Sequence, residues 1–210
     1  MTQGQMKERT NELGPGAILI HLGLLLFGIT AWLTGDLADD YKKAVHSGFT
    51  VHSLIGIAAA GFAGLRLLTG LFGPRIVRFS QWMPFTPGRI RLALEDVAGL
   101  VRFRLPERPT HQGLAGVVQT FGLFVFLLMA VTGGVLFFGL EPGQKAHGVL
   151  HDVKEVHEIG VALVPAFLLM HVGAVVMHAL RGKHLWKKIL FINDKIESRS
   201  LNRESLAGER

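Results

Sequence analysis

His157 and His171 stand fourteen residues apart, and the only ionisable residue between them is Glu158, next to the first. At about 100° per residue, a helix brings the second imidazole back to within roughly 40° of the first and sets it roughly 21 Å further along the axis. The run is long enough, as a helix, to cross a bilayer. Two imidazoles on one stripe at two depths of a membrane are costly unless something uses them. An iron porphyrin would use them: it is a flat, apolar disc that takes one imidazole above its plane and one below. The plainer alternative is a pair of hydrogen-bonded core histidines. The helix alone leaves both readings open, so the partners must come from elsewhere in the chain.

The 210 residues are 49% hydrophobic, and the mean hydropathy is +0.37. Four separated apolar runs of near-spanning length point to an all-α integral membrane four-helix bundle. The spans are expected at about residues 13–33, 47–72, 112–140 and 156–180. They form one domain over residues 1–190, followed by a charged tail at 191–210. The first run lacks a cleavage pattern and contains His21, so it reads as a retained helix. With no cysteine, the chain has no disulfide, no iron–sulfur ligation, no thioether-linked haem and no thiol chemistry.

The net charge of +6 is topological. Of the 22 Lys and Arg residues, 17 fall in the two terminal segments and the long middle connection, and 4 in the other two connections. The positive-inside rule then places both termini and residues 73–111 in the cytoplasm. No basic patch interleaved with aromatic residues argues for nucleic acid. The opposite side carries Asp36, Asp39, Asp40, Glu141, Asp152 and Glu155, with Glu158 at the helix mouth, and is mildly acidic.

Topology fixes depth. His21 and His171 fall in the inner half of the membrane, whereas His52 and His157 lie near the outer ends of their spans. Four histidines therefore form two depth-matched pairs, His21 with His171 and His52 with His157, which favours two bis-histidine haems. Gly14, Gly28 and Gly35 share nearly the face of His21, and Gly56 is one turn beyond His52, where a macrocycle or a neighbouring helix needs room. Arg66, fourteen residues after His52, suits a haem propionate; snorkelling to the headgroups is the alternative. His178, two turns beyond His171, suits a quinone or a propionate, and His111 a similar part at the third span. His147 and His151 are spaced i, i+4 but lack a third metal ligand, and Val161 breaks a His-Glu-x-x-His motif after His157.

From about Gly14 to Leu190 the chain resembles the bacterial cytochrome b561 and nickel–iron hydrogenase cytochrome b superfamily of four-helix dihaem membrane proteins. The resemblance lies in Ile20-His21, Val51-His52-Ser-Leu-Ile-Gly56, Arg66-Leu-Leu and Phe72-Gly73-Pro74-Arg75-Ile-Val-Arg78-Phe79. It continues in His111-Gln-Gly-Leu-Ala-Gly116, Thr132-Gly133 and the His157-Glu158, His171, His178 series. Hydrogenase-type members usually read His-Asn-Pro where this chain has His111-Gln112-Gly113. The resemblance implies that His21, His52, His157 and His171 are axial ligands of two haems b in a bacterial inner membrane. It also implies electron transfer between quinone and a periplasmic redox partner such as a c-type cytochrome or a dehydrogenase, the chain being the electron-transfer subunit of an oxidoreductase complex.

Two other functions remain in view. One is a stand-alone superoxide:quinone oxidoreductase, with Lys42, Lys43, Lys145 and Lys154 as a cationic funnel. The other is a haem-free transporter lined by histidines. A pyridine haemochrome assay should return two protohaem groups per chain, all removed by acid–acetone because no cysteine can tether them. A ratio near one, or haem that resists extraction, would contradict the reading.

Overall fold

The computed structural model describes residues 14–38, 45–106, 108 and 112–182. Asp39, Asp40, Lys42, Lys43, His111 and the tail at 191–210 lie outside the described residues. Six α-helices follow in order: α1 (Pro15–Leu33), α2 (Ser47–Phe72), α3 (Phe79–Trp82), α4 (Pro87–Val101), α5 (Leu114–Gly139) and α6 (Val149–Leu180). Single 3₁₀ turns, Gly35–Ala38 and Arg75–Val77, follow α1 and α2, and no strand occurs among the described residues. Helices α1, α2, α5 and α6 are each long and apolar enough to cross a membrane. The protein is a multi-pass, all-helical membrane protein.

Local chemistry sets the helix ends. Pro15 and Pro87 open α1 and α4 at positions whose N–H would have no helical acceptor. Pro74, after Gly73, cannot continue α2. The first N–H of α5, at Leu114, donates to Asp96 Oδ2 on α4 at 2.9 Å, and Arg108 Nε donates to Asp96 Oδ1 at 2.5 Å. Asp96 is only 4% exposed, so these bonds satisfy a buried carboxylate. Gly113, at φ 61°, holds the turn before α5, and a Cβ there would occupy the place of the Asp96 carboxylate. The sequence expectation started the fourth span near residue 156, where unbroken apolarity begins. The helix starts at Val149, because its first two turns are amphipathic and carry i, i+4 pairs such as Lys154 with Glu158.

Two compact units divide the chain, Met1–Gly173 and Ala174–Arg210. In the second, the described residues are the end of α6, with His178 in its last turn, and a turn at Arg181 and Gly182. In the first, α1 packs on α2, α2 on α5, and α4 on α5. Water is absent from a bilayer core, so helix association there relies on close packing rather than on the hydrophobic effect. Glycines supply that closeness. A Cβ at Gly23 of α1 would meet the Phe62 ring of α2, one at Gly28 the Phe126 ring of α5, and one at Gly122 of α5 the Phe167 ring of α6. Gly160 of α6 likewise seats Met129 of α5, and Gly70 of α2 seats Phe79.

Gly23→Ala should therefore cost about 1–3 kcal/mol by overpacking a filled contact. Gly61→Ala, where nothing lies within 4 Å, should be neutral or slightly stabilising. Melting temperatures of the two variants in one detergent would check this, and equal melting would refute the packing role.

Candidate haem-binding site

Each of the four expected histidines is half-buried and faces another. His21 of α1 and His171 of α6 have ring centroids 6.0 Å apart, with planes at 49°. His52 of α2 and His157 of α6 have centroids 6.3 Å apart, with planes at 84°. These separations are too wide for stacking or for a direct hydrogen bond between the imidazoles. With a metal–imidazole bond of about 2.0 Å and a ring nitrogen about 1.1 Å from its centroid, two imidazoles on one metal would stand about 6.2 Å apart. The donor set therefore fits a bis-histidine iron centre at both levels.

Hydrogen bonds choose the tautomer at the second pair. His52 Nδ1 lies 3.1 Å from the Ala31 carbonyl oxygen, which can only accept, so Nδ1 carries the proton. Thr34 Oγ1, at 3.5 Å, stands beside the same nitrogen. His157 Nδ1 lies 2.8 Å from Thr132 Oγ1. That hydroxyl donates its own proton to Leu128 O at 2.6 Å, so it accepts from His157. In both rings Nε2 is left with the lone pair that a metal binds, the arrangement by which outer hydrogen bonds orient a ligating histidine. Thr132 is 7% exposed, and this double engagement accounts for a buried hydroxyl in α5. Gly133, next along, leaves room for the His157 ring, whose Cε1 would lie 3.1 Å from an added Cβ.

At the first pair the ring is held by packing. His171 stacks on Phe167 at 5.3 Å and 23°, and Phe167 meets Phe126 edge to face at 6.1 Å. Among the described residues, neither the His21 nor the His171 ring makes a hydrogen bond to the protein.

A cavity of about 780 Å³ lies against His52 and His157, between the end of α1, the start of α2, the end of α5 and the start of α6. Its walls are largely apolar, with Phe126, Phe137 and Val164, while Asp36, Lys145, Lys154 and Glu158 line it as well. The size falls within the range of small-molecule and cofactor sites. Gly28, Gly35 and Gly56 line it too. Of these, Gly56 and Gly35 have open space where a side chain would stand, whereas Gly28 is closed by Phe126; Gly14, outside the cavity, faces open space.

Arg66 of α2 donates from Nη1 to Val77 O at 3.3 Å, and its guanidinium lies 5.1 Å from the centre of the Phe79 ring and 5.4 Å from that of Trp82. It anchors the connection after α2 to its own helix. His178 lies in the second unit, half-buried. Sequence reasoning missed the Ala31 carbonyl, Thr132 and the Phe126–Phe167 pair. Thr132-Gly133 stood out as a motif without a role, and a backbone carbonyl has no sequence signal at all.

The family model described as prokaryotic cytochrome b561 matches residues 12–191. Comparison with curated proteins and with solved structures returned no match.

His52→Ala and His157→Ala should abolish the same one of two redox waves, and His21→Ala and His171→Ala the other. Thr132→Val should keep both haem bands and move only the wave that His157→Ala removes, since it deletes the acceptor for Nδ1. Potentiometric titration of the five variants reads this directly. Loss of one wave by both His52→Ala and His21→Ala would break the pairing.

Proposed function

The chain belongs to the prokaryotic cytochrome b561 family, haem-b membrane proteins of electron transfer, and from that premise we propose a dihaem cytochrome b of the bacterial inner membrane. It exchanges electrons between the quinone pool and a periplasmic redox protein, a c-type cytochrome or a dehydrogenase. The observation that carries this reading is the pair of facing imidazoles at each of two levels, at 6.0 Å and 6.3 Å. Haem held between such imidazoles would supply a one-electron iron couple.

The chain's own residues have defined parts in this scheme. His21 and His171 hold the inner group, and His52 and His157 the outer one. Ala31 O and Thr132 keep the outer pair in the ligating tautomer. Phe126 and Phe167 meet edge to face beside His171 and would keep that side of a bound group apolar. Arg66 offers a propionate the N–H groups that Val77 does not use. The basic terminal and middle segments put both termini in the cytoplasm, so the cavity beside His52 faces the periplasm. Quinone binds at the cytoplasmic side, with His178, seven residues after His171 in sequence, as a hydrogen-bond donor to a carbonyl oxygen.

Lys145 and Lys154 on the cavity wall favour a second reading, a stand-alone superoxide:quinone oxidoreductase. Lys154 is paired there with Glu158, which weakens its pull on an anion. A haem-free transporter does not suit a member of a haem-b family.

In liposomes, His178→Ala should slow haem reduction by added quinol roughly two- to tenfold, the scale set by losing one hydrogen bond to a bound carbonyl. Both visible haem bands should stay intact. Unchanged quinol kinetics would move the quinone site elsewhere.

A further inference from the structure

Helix α4 is not explained by electron transfer. It lies between two spans, and Asp96 ties it to the first N–H of α5. The short connection before it is fastened too, because Phe79, Trp82 and Met83 form a buried cluster against Leu67 of α2 and Leu123 of α5. The helix is therefore held at the level where α5 begins, which is a membrane surface.

Its residues divide into three sectors. Leu92, Ala93, Asp96 and Leu100 turn toward the protein and are buried or half-buried. Arg91 and Glu95 are exposed and charged. Ile90, Leu94, Val97 and Val101, spaced four, three and four apart, form an apolar stripe that the protein leaves exposed, Leu94 at 64% and Val101 at 76%. At the two ends of the helix, Phe85 and Phe103 are 73% and 90% exposed. A stripe this continuous is not left to water on a soluble surface.

Charge indicates what covers it. Arg75 and Arg78, in the connection before the helix, and Arg102 and Arg104, at its C-terminal end, are exposed. The acidic residues described in this region, Glu95 and Asp96, are both bonded to Arg108. The surplus is positive beside an apolar face, the composition of helices that lie in an anionic lipid interface.

We propose that α4 is an interfacial helix that seats the Ile90–Val101 stripe, with Phe85 and Phe103, in the adjoining leaflet and gathers anionic phospholipid through Arg75, Arg78, Arg102 and Arg104. The proposal needs only that the chain spans the membrane, and it stands apart from the number of haems or the identity of the quinone.

The absence of native cysteine makes the test direct. Nitroxide labels would be placed singly by Leu94→Cys, Val97→Cys, Val101→Cys, Gly88→Cys and Arg91→Cys in the full chain. The nanodiscs would hold phosphatidylcholine alone or mixed with phosphatidylglycerol, and the visible haem spectrum would confirm folding of each variant. At 94, 97 and 101, dissolved oxygen should relax the label several-fold more effectively than a water-soluble nickel chelate, and at 88 and 91 the order should reverse. Spin-labelled phosphatidylglycerol should be immobilised several-fold in preference to phosphatidylcholine, and Arg102→Glu with Arg104→Glu should bring that ratio close to one. Equal access of nickel to all five sites would lift the helix off the bilayer. Protection of 94, 97 and 101 from both relaxants would show that a protein, a second copy included, covers the stripe. A lipid ratio unmoved by the charge reversal would remove the anionic preference.

Discussion

Two imidazole rings facing each other across about 6 Å inside an apolar bundle make a contact that the protein does not repay by itself. The gap is too wide for stacking and too narrow to hold another side chain. Maintaining it at two levels constrains every spanning helix. Helix α6 must run unbroken from His157 to His171, and α1 and α2 must each present one histidine at a matching height. The third span, α5, brings no imidazole and instead fixes the others.

That role of α5 rests on three residues. Thr132 accepts the His157 proton, Phe126 closes against Gly28 of α1, and Gly122 receives Phe167, on which His171 stacks. The two levels are stabilised differently. The His52–His157 rings are oriented by hydrogen bonds to a backbone carbonyl and a hydroxyl, whereas His171 is oriented by an aromatic face. A carbonyl drawing on Nδ1–H makes an imidazole a stronger electron donor, and an aromatic face does not. The protein thus places two chemically unlike surroundings within one bundle.

Much of this was legible in the sequence, because a bilayer simplifies the reading. Long apolar runs gave the four spanning helices, and the fourteen-residue interval gave the shared face of His157 and His171. Depth matching paired His21 with His171 and His52 with His157, and those rings stand about 6 Å apart in each pair. Less was legible where an interaction depends on tertiary geometry. Gly28 was expected to make room for a macrocycle or a neighbouring helix, and it receives the Phe126 ring. Arg66 was read through its position on the face of His52, but its cation–π contacts depend on how the chain turns after Gly73. Residues 73–111 were read as a basic loop because seven arginines outnumber their three acidic residues. The apolar stripe of α4 is interrupted by arginines and becomes visible only on a helical wheel.

The glycines that receive rings bear on how such a sequence can vary over time. In a water-soluble domain the interior resists change and the surface drifts freely among polar residues. Here the outward faces can drift among Leu, Val, Ile and Phe, since lipid does not distinguish one hydrocarbon shape from another. Strict positions are those where a single methyl group would run into an aromatic ring, Gly23, Gly28, Gly70 and Gly122. A lineage could replace most of its lipid-facing residues and keep the bundle, yet be stopped by the smallest substitution available at any of these four.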